Sequence, residues 1–250
     1  MSLSTIEQLQ LEETILPSPH SGELSELAES AFSYRFGAKN EPHIAELYHS
    51  NSKLNPHSTL NPAGKLSEVR QWFFEKAWRL QPDDLTAEAE GTILIKWENL
   101  PEGLRTLLDP FTQEDSPPSQ LLYAVDLMVL SEHYLLRAIP WRGFLWIERK
   151  FEDEDWDKLR EAVLDISLPH SPVLFLVACP WRHMLLVGPR GYRDTLIDAG
   201  KLMNGLENIA YEQGMKLEMT TLFYDESVDK LLLLDGIERA TVAIAVLKEN

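Results

Sequence analysis

The stretch from residue 172 to residue 213 constrains the fold most, because it joins a short apolar run to a long amphipathic pattern. Residues Pro172 to Ala178 are rich in β-forming side chains, which predicts a buried strand. From Tyr192 to about Gln213, apolar residues recur three or four positions apart, which predicts a helix. Gly214 stands where the glycine of a helix C-cap is expected.

The rest of the chain predicts an alternation of further strands and helices. Strands are predicted at 91–97, 144–149, 217–223 and 240–247, and helices at 67–80, 104–108, 120–136, 156–164 and 227–234. Strands separated by helices predict an α+β or α/β chain with a mixed sheet. Residues 1–45 predict short amphipathic helices that form an N-terminal appendage, and residues 46–250 predict the main domain.

Composition and charge exclude several classes of function. The formal net charge of −17 argues against a nucleic-acid-binding or membrane-surface protein, because both need basic residues that neutralise phosphates. No apolar run reaches the roughly 18 residues of a membrane span, and the first residues lack the pattern of a signal peptide. The single cysteine, Cys179, excludes an internal disulfide. We therefore expect a cytoplasmic protein.

The segment from Gly188 to Arg193 leaves two interpretations open. Two glycines, a proline and two arginines precede the long helix, where unpaired backbone N–H groups and the helix dipole favour an anion such as phosphate. Alternatively, Arg190 and Arg193 pair with some of the many carboxylates of the chain. The early histidines have no spacing that predicts a metal site, and Cys179 fits a buried structural thiol better than a nucleophile.

Three segments together resemble the SagB-type, peptide-azoline dehydrogenase branch of the FMN-dependent nitroreductase superfamily. The main match begins at Arg190-Gly191-Tyr192-Arg193 and continues through Asp198-Ala199-Gly200 and Leu234-Asp235 to the strand predicted at 240–247. Shorter matches are Tyr48 to Leu54, similar to the segment that enters the family's domain, and Pro140 to Trp146, similar to its flavin-side loop.

The resemblance implies an α+β fold, a flavin and a peptide-modifying role. The fold is a nitroreductase-like central mixed sheet flanked by helices, with FMN at the interface of a homodimer or of a heterodimer with a related subunit. The reaction is oxidation of azolines to thiazoles or oxazoles in a modified peptide, alongside a cyclodehydratase complex. By position, the residues that the resemblance implies for the flavin are Arg142, Gly143, Arg190 and Arg193.

Departures from the family pattern produce a second hypothesis. Leu186 and Val187 stand where the branch has a Lys-Tyr pair, and neither side chain can transfer a proton. The family's phosphate-binding arginines have only Arg105, Arg137 and Arg142 as stand-ins, and the bulky Trp141-Arg142 replaces small residues of the flavin loop. The chain is therefore either an FMN-dependent oxidoreductase or a degenerate, flavin-free subunit that acts as a scaffold or partner.

Overall fold

The computed structural model describes residues 48, 52–53, 67–73, 75, 94–96, 99–111, 120–139, 144–168 and 172–248. The chain divides into two compact units, Met1–Lys53 and Leu54–Asn250. In the first unit, the described Ser52 N–H donates to the Tyr48 carbonyl at 3.0 Å. The helical appendage predicted at 1–45 lies outside the described residues, and the predicted boundary at residue 46 stays a prediction. The elements below belong to the second unit.

Seven strands and five labelled helices are described. The strands are β1 Leu94–Lys96, β2 Val125–Ser131, β3 Tyr134–Ala138, β4 Phe144–Lys150, β5 Val173–Ala178, β6 Lys216–Thr220 and β7 Ala240–Lys248. The helices are α1 Glu102–Leu108, α2 Asp153–Ala162, α3 Pro180–Val187, α4 Arg190–Glu212 and α5 Asp225–Leu231. Residues 67–73 are also helical, and a 3-10 turn covers Asp109–Phe111.

The strands form one sheet in the order β1-β4-β3-β2-β5-β7-β6. All six strand pairings are antiparallel, so the sheet that we predicted as mixed has no parallel pair among the described strands. Hairpins connect β2 to β3 and β3 to β4, and helices connect most of the other strands. The predicted α+β fold with a central sheet flanked by helices is confirmed.

Most predicted elements are present, but the helix predicted at 120–136 is wrong. The segment instead contains β2, a turn and the start of β3, and Glu132 in the turn has a left-handed φ of 53°. Both faces of β2 are buried, so its apolar side chains do not alternate with polar ones. A strand covered on both faces has no period of two, and its apolar run is easily mistaken for a helix.

The sheet separates two hydrophobic cores. Alternate residues of β5 face opposite sides: Leu174 and Leu176 lie in the core beneath α1 and α4, and Val173, Phe175 and Val177 lie in the core beneath α2 and α5. We call these the α4 face and the α2–α5 face of the sheet. Within the described residues, none of the helices is long and apolar enough to cross a membrane.

The turn between α5 and β7 contains two aspartates in contrasting environments. Asp235 is exposed, and its Oδ1 accepts hydrogen bonds from the backbone N–H groups of Ile237, Glu238 and Arg239 at 2.9–3.0 Å. These bonds lower the pKa of Asp235. Asp229 is buried, and its Oδ1 accepts from the Thr241 N–H at 2.8 Å. Burial raises the pKa of Asp229, and the bond from Thr241 offsets only part of this effect.

We predict that Asp229→Asn and Asp235→Asn change stability in opposite directions at pH 7. The folded-state pKa of Asp229 is raised, so folding disfavours its charge, and Asn removes that charge while keeping an acceptor for Thr241. Asp229→Asn should increase the free energy of unfolding, by less than about 1 kcal/mol. Asp235→Asn should decrease it, because the native state favours the charged carboxylate.

Urea unfolding between pH 3 and pH 7 checks both signs. The gain from Asp229→Asn should shrink as the pH falls from the raised folded-state pKa of Asp229 to its unfolded-state pKa, below which the carboxyl is protonated in both states. The loss from Asp235→Asn should fade as the pH falls through its lowered folded-state pKa. Destabilisation by Asp229→Asn at pH 7 would contradict the assignment.

Candidate functional site at the carboxyl end of strand β5

Helices α3 and α4 form a tight hairpin immediately after β5. Gly188 separates them with a left-handed φ of 61°, a conformation that favours glycine. Gly191, in the first turn of α4, lies against the backbone of α3: a Cβ at this position would be 2.4 Å from the Met184 nitrogen and 2.5 Å from the His183 carbonyl carbon. Gly191 is therefore required for the close approach of the two helices.

This packing bears on the anion site predicted at the start of α4. The Gly191 N–H donates to the Gly188 carbonyl at 2.9 Å, and the Tyr192 N–H donates to the Pro189 carbonyl at 3.3 Å. Both amides belong to the first helical turn, where unpaired N–H groups usually hold an anion. Because the preceding turn already uses them, they are not available to a phosphate.

The predicted flavin residues divide into two groups. Arg190 and Arg193 both lie in the first turn of α4 and are half-buried. Arg142 and Gly143, in the loop predicted to face the flavin, lie outside the described residues, so their role stays a prediction. Leu186 and Val187, which replace the family's Lys-Tyr pair, lie in the last turn of α3, with Val187 buried.

One side of α4 differs from the sequence prediction. The helical pattern places Tyr192 and Leu196 on the buried side with Ala199, but these two side chains are 42% and 41% exposed. The buried side instead includes two polar residues, Thr195 and Asp198. The Thr195 hydroxyl donates to the Gly191 carbonyl at 2.9 Å, and Asp198 has charged partners, so both polar groups are tolerated in the interior.

Asp198 holds three elements together. Its Oδ2 lies 3.0 Å from His183 Nε2 on α3 and 3.1 Å from Arg70 Nη2 in the helical segment 67–73. Burial alone would raise the pKa of Asp198, but the hydrogen bond from His183 and the charges of Arg70 and Lys201 hold it below its usual range. His183 is 1% exposed, and its Nδ1 has no hydrogen-bond partner among the described residues.

Asp126 forms a second buried ionic centre at the same end of the sheet. Arg182 on α3 donates from Nη1 to Asp126 Oδ1 at 2.7 Å, and Arg239, just before β7, places Nη2 3.2 Å from Oδ2. Burial opposes ionisation of this carboxyl, but Arg182, Arg137 and Arg239 hold the pKa of Asp126 below its usual range. The carboxylate is therefore charged at neutral pH.

Arg182 also ties α3 to the turn before β2. Its Nη1 donates to the Tyr123 carbonyl at 2.9 Å, and the Tyr123 hydroxyl donates to the Arg182 carbonyl at 2.8 Å. Burial raises the pKa of Tyr123, although Arg70 and Arg182 oppose the shift. The Tyr123 ring also meets His183 edge-on, with the ring centres 5.2 Å apart. The two ionic centres therefore share Tyr123.

Sequence reasoning missed most of these charged residues. Of the arginines near Asp126, only Arg137 was singled out, as a stand-in for a phosphate ligand, and its Nε instead pairs with Glu148. An aspartate at the start of the apolar run 125–130 was the available signal, because a buried carboxylate requires a cationic partner. The sequence could not show that the partners come from residues 182 and 239.

The environment of Cys179 agrees with the structural thiol that the sequence predicts. Cys179 is fully buried, and burial together with the charge of Asp126 raises the pKa of its thiol to about 12. The thiol is therefore protonated at neutral pH, as expected for a structural cysteine. Across the described ranges, no cluster of His, Cys, Asp and Glu has the arrangement of a metal site.

Two observations bear on the flavin phosphate site that the family resemblance implies at α4. The Gly191 and Tyr192 amides are used by the preceding turn, and the space beside Gly191 is filled by the α3 backbone. Arg182, Arg239 and Arg137 each face a carboxylate. A phosphate carries about two charges and needs several charge-assisted hydrogen bonds, and Arg190 and Arg193 stay the predicted donors for it at α4.

Comparison with known proteins shows the fold. No protein-family model and no curated protein matches the chain. Among solved structures, a chain of the Escherichia coli microcin synthetase McbBCD complex with truncated pro-MccB17 bound has a TM-score of 0.50 and 14% identity, over 100% of this chain and 98% of that one. A Ralstonia eutropha protein assigned as a nitroreductase has a TM-score of 0.50 and 15% identity, over 60% of this chain and 73% of that one.

The chain therefore has the nitroreductase fold. The resemblance inferred from Arg190-Gly191-Tyr192-Arg193 is confirmed at the level of the fold. The sequence identity to the two structures is low, 15% and 14%. An Anabaena variabilis protein, also assigned as a nitroreductase, is 17% identical with a TM-score of 0.48, over 72% of this chain. This chain covers only 46% of the Anabaena protein's length.

We predict that Gly191→Ala destabilises the protein by roughly 3 kcal/mol, because the added methyl group meets backbone atoms that cannot move independently. Gly200→Ala is the matched control on the same helix. Gly200 is exposed, and a Cβ there meets nothing within 4 Å. This control should stabilise the protein by roughly 0.5–1 kcal/mol, the usual helical preference for alanine over glycine.

Thermal and urea unfolding of both variants measures the difference. If Gly191→Ala were as stable as the parent while Gly200→Ala gained stability, the close contact between α3 and α4 would not be a constraint on the fold.

Proposed function

We propose that this chain is a nitroreductase-fold subunit of a peptide-modifying complex, acts through association with a second subunit, and does not hold FMN tightly by itself. The observation that carries the proposal is the surface of α3 and the first half of α4. Six exposed apolar side chains lie there between residues 181 and 197: Trp181, Met184, Leu185, Tyr192, Leu196 and Ile197. We call these six residues the α3–α4 surface.

The α3–α4 surface is apolar although the chain is strongly acidic. The formal net charge is −17, yet Leu185 and Ile197 are 73% and 55% exposed. Trp181, Met184 and Leu185 are spaced three and four residues apart on α3, so they form one stripe of that helix. Exposed apolar groups of this kind typically mark a protein interface.

The α3–α4 surface bears on the dimer interface that the sequence predicts. The apolar residues Leu202, Met203, Leu206 and Ile209 extend beyond one stripe, which predicts a dimer whose interface buries the helix from Tyr192 to Gln213. Leu202 and Leu206 lie in the chain's own core beneath α4, and Met203 and Ile209 pack against that core. The apolar residues left for a partner lie closer to the start of the helix.

Two further observations support a non-catalytic role. Leu186 and Val187 supply no proton donor or acceptor at the end of α3. The Gly191 and Tyr192 amides at the start of α4 are already bonded to the preceding turn, which supports weak binding of a phosphate there. The microcin synthetase chain that shares the fold belongs to a complex with a bound peptide, which supports a peptide-modifying assembly as the setting.

An FMN-dependent oxidoreductase that forms thiazoles or oxazoles is the second candidate. The fold favours it, because the Ralstonia protein of the same fold is assigned as a nitroreductase. In this candidate, Arg142, Gly143, Arg190 and Arg193 would hold the cofactor, and the flavin would supply the hydride chemistry.

The absorbance spectrum of the purified protein distinguishes the two candidates. We predict that the isolated chain lacks the flavin absorbance bands at about 370 and 450 nm, both as purified and after incubation with excess FMN followed by desalting. Release of flavin on denaturation serves as the check for a quenched or shifted spectrum. Stoichiometric FMN in the purified protein would contradict the proposal and favour the oxidoreductase.

We also predict that the α3–α4 surface mediates self-association, with a second copy as the simplest related subunit. The double variant Leu185→Asp/Ile197→Asp should be monomeric at micromolar concentration, whereas the parent should be a dimer by light scattering. Charged groups at the centre of an interface are costly to bury, so the two substitutions should weaken association by at least about a hundredfold.

The control for this experiment is Ile237→Asp, because Ile237 is 81% exposed and lies in the turn before β7, away from α3 and α4 in the chain. It should leave the dimer intact. A monomeric parent protein would contradict self-association, and a dimer that survives the double substitution would place the interface elsewhere.

A further inference from the structure

The cluster around Asp126 has more positive than negative charge. Arg137, Arg182 and Arg239 come from β3, α3 and the turn before β7, and among the described residues they face two carboxylates, Asp126 and Glu148. Their formal charges sum to about +1, in a chain whose net charge is −17. Partly buried charges require partners, so an unbalanced arginine in this setting favours an additional anion.

Unpaired donors surround the same carboxylate. The Nε atoms of Arg182 and Arg239 are buried without a hydrogen-bond partner among the described residues. A buried donor left unpaired is destabilising, and an acceptor group would recover this cost.

The Oδ2 atom of Asp126 does not fully satisfy the hydrogen-bond donors of Arg239. Oδ2 lies 3.2 Å from Arg239 Nη2, but the contact lacks the alignment of a hydrogen bond, and Oδ2 has no hydrogen-bond partner in the described part of the chain. Arg239 Nη2 also lies 3.8 Å from the Met128 sulfur, a weak acceptor. The Arg239 guanidinium is therefore near Asp126 without being fully satisfied by it.

Solvent reaches the cluster from the sides of Arg137 and Arg239. The Arg137 and Arg239 side chains are 33% and 29% exposed, whereas Arg182 is 11% exposed and Asp126 8%. An incoming group would therefore reach Arg137 and Arg239 before Arg182. Arg182 is fixed in place by its bonds to Asp126 and the Tyr123 carbonyl.

We propose that Arg239 and Arg182, beside Asp126 at the end of the α2–α5 face, bind a carboxylate or phosphate oxyanion. Guanidinium groups bind both anions through paired N–H donors, and the charge-assisted bonds are about twice as strong as neutral ones. Asp126 orients the two arginines and competes with the ligand for them. Arg182, Arg239 and Asp126 are not among the residues that the family resemblance implies for the flavin.

Inorganic phosphate and acetate are the probes, each titrated against sodium chloride at matched ionic strength. The parent protein should show saturable binding of at least one probe by calorimetry and a matching rise in the midpoint of thermal unfolding, since a ligand of the native state stabilises it. Stronger binding of phosphate or of acetate identifies which oxyanion the site prefers. Either preference supports the proposal.

Three variants separate binding from folding. Arg239→Gln should weaken the preferred probe by at least about tenfold, the loss expected for one charge-assisted interaction. Arg160→Gln is the matched control, because Arg160 pairs with Asp157 on the surface of α2 and should leave binding unchanged. Asp126→Asn should destabilise the unliganded fold but bind the anion several-fold more tightly, because it removes the competing carboxylate.

The effect of Asp126→Asn on anion affinity distinguishes a binding site from a structural ion pair: a binding site gains affinity, and a structural ion pair does not. Absence of probe binding to the parent protein beyond the chloride control would overturn the proposal. So would binding that Arg239→Gln retains in full. If Asp126→Asn fails to fold, the comparison of Arg239→Gln with Arg160→Gln still decides the question.

Discussion

The close contact between Gly191 and the backbone of α3 is the constraint on which this end of the molecule depends. Because a Cβ at Gly191 would lie only 2.4 Å from the Met184 nitrogen, the α3 backbone packs directly against the first turn of α4. That position brings His183 to Asp198 and Arg182 to Asp126. A glycine that pattern comparison associates with a flavoprotein motif thus has a packing role of its own in this chain.

The two ionic centres show how a chain can keep charges in its interior. Each buried aspartate has at least two cationic partners, and each pKa is lowered although burial alone would raise it. In both cases the partners come from distant parts of the chain, so the ion pairs also fix the relative positions of α3, α4, β2 and segment 67–73. Removing one partner of a buried pair is usually more costly than the pair is stabilising.

The fold was more predictable from the sequence than the site. The strand at 173–178 and helix α4 each have a strong local pattern, and both were predicted within a few residues. The pattern fails where a strand is buried on both faces, as in β2, whose apolar run was predicted as a helix. Helix α3 was missed because it is short and starts at Pro180, directly after a strand. The partners of Asp126 were not predictable, since they are 56 and 113 positions away along the chain.

The burial of Cys179 has a practical consequence. The chain has a single thiol, it has no measurable exposed surface, and it lies between the end of β5 and the start of α3. An alkylating reagent can reach it only when these two elements separate, so the rate of modification under native conditions reports how often this end of the sheet opens. For the same reason, a cysteine introduced elsewhere on the surface can carry a spectroscopic label while the native thiol stays in place.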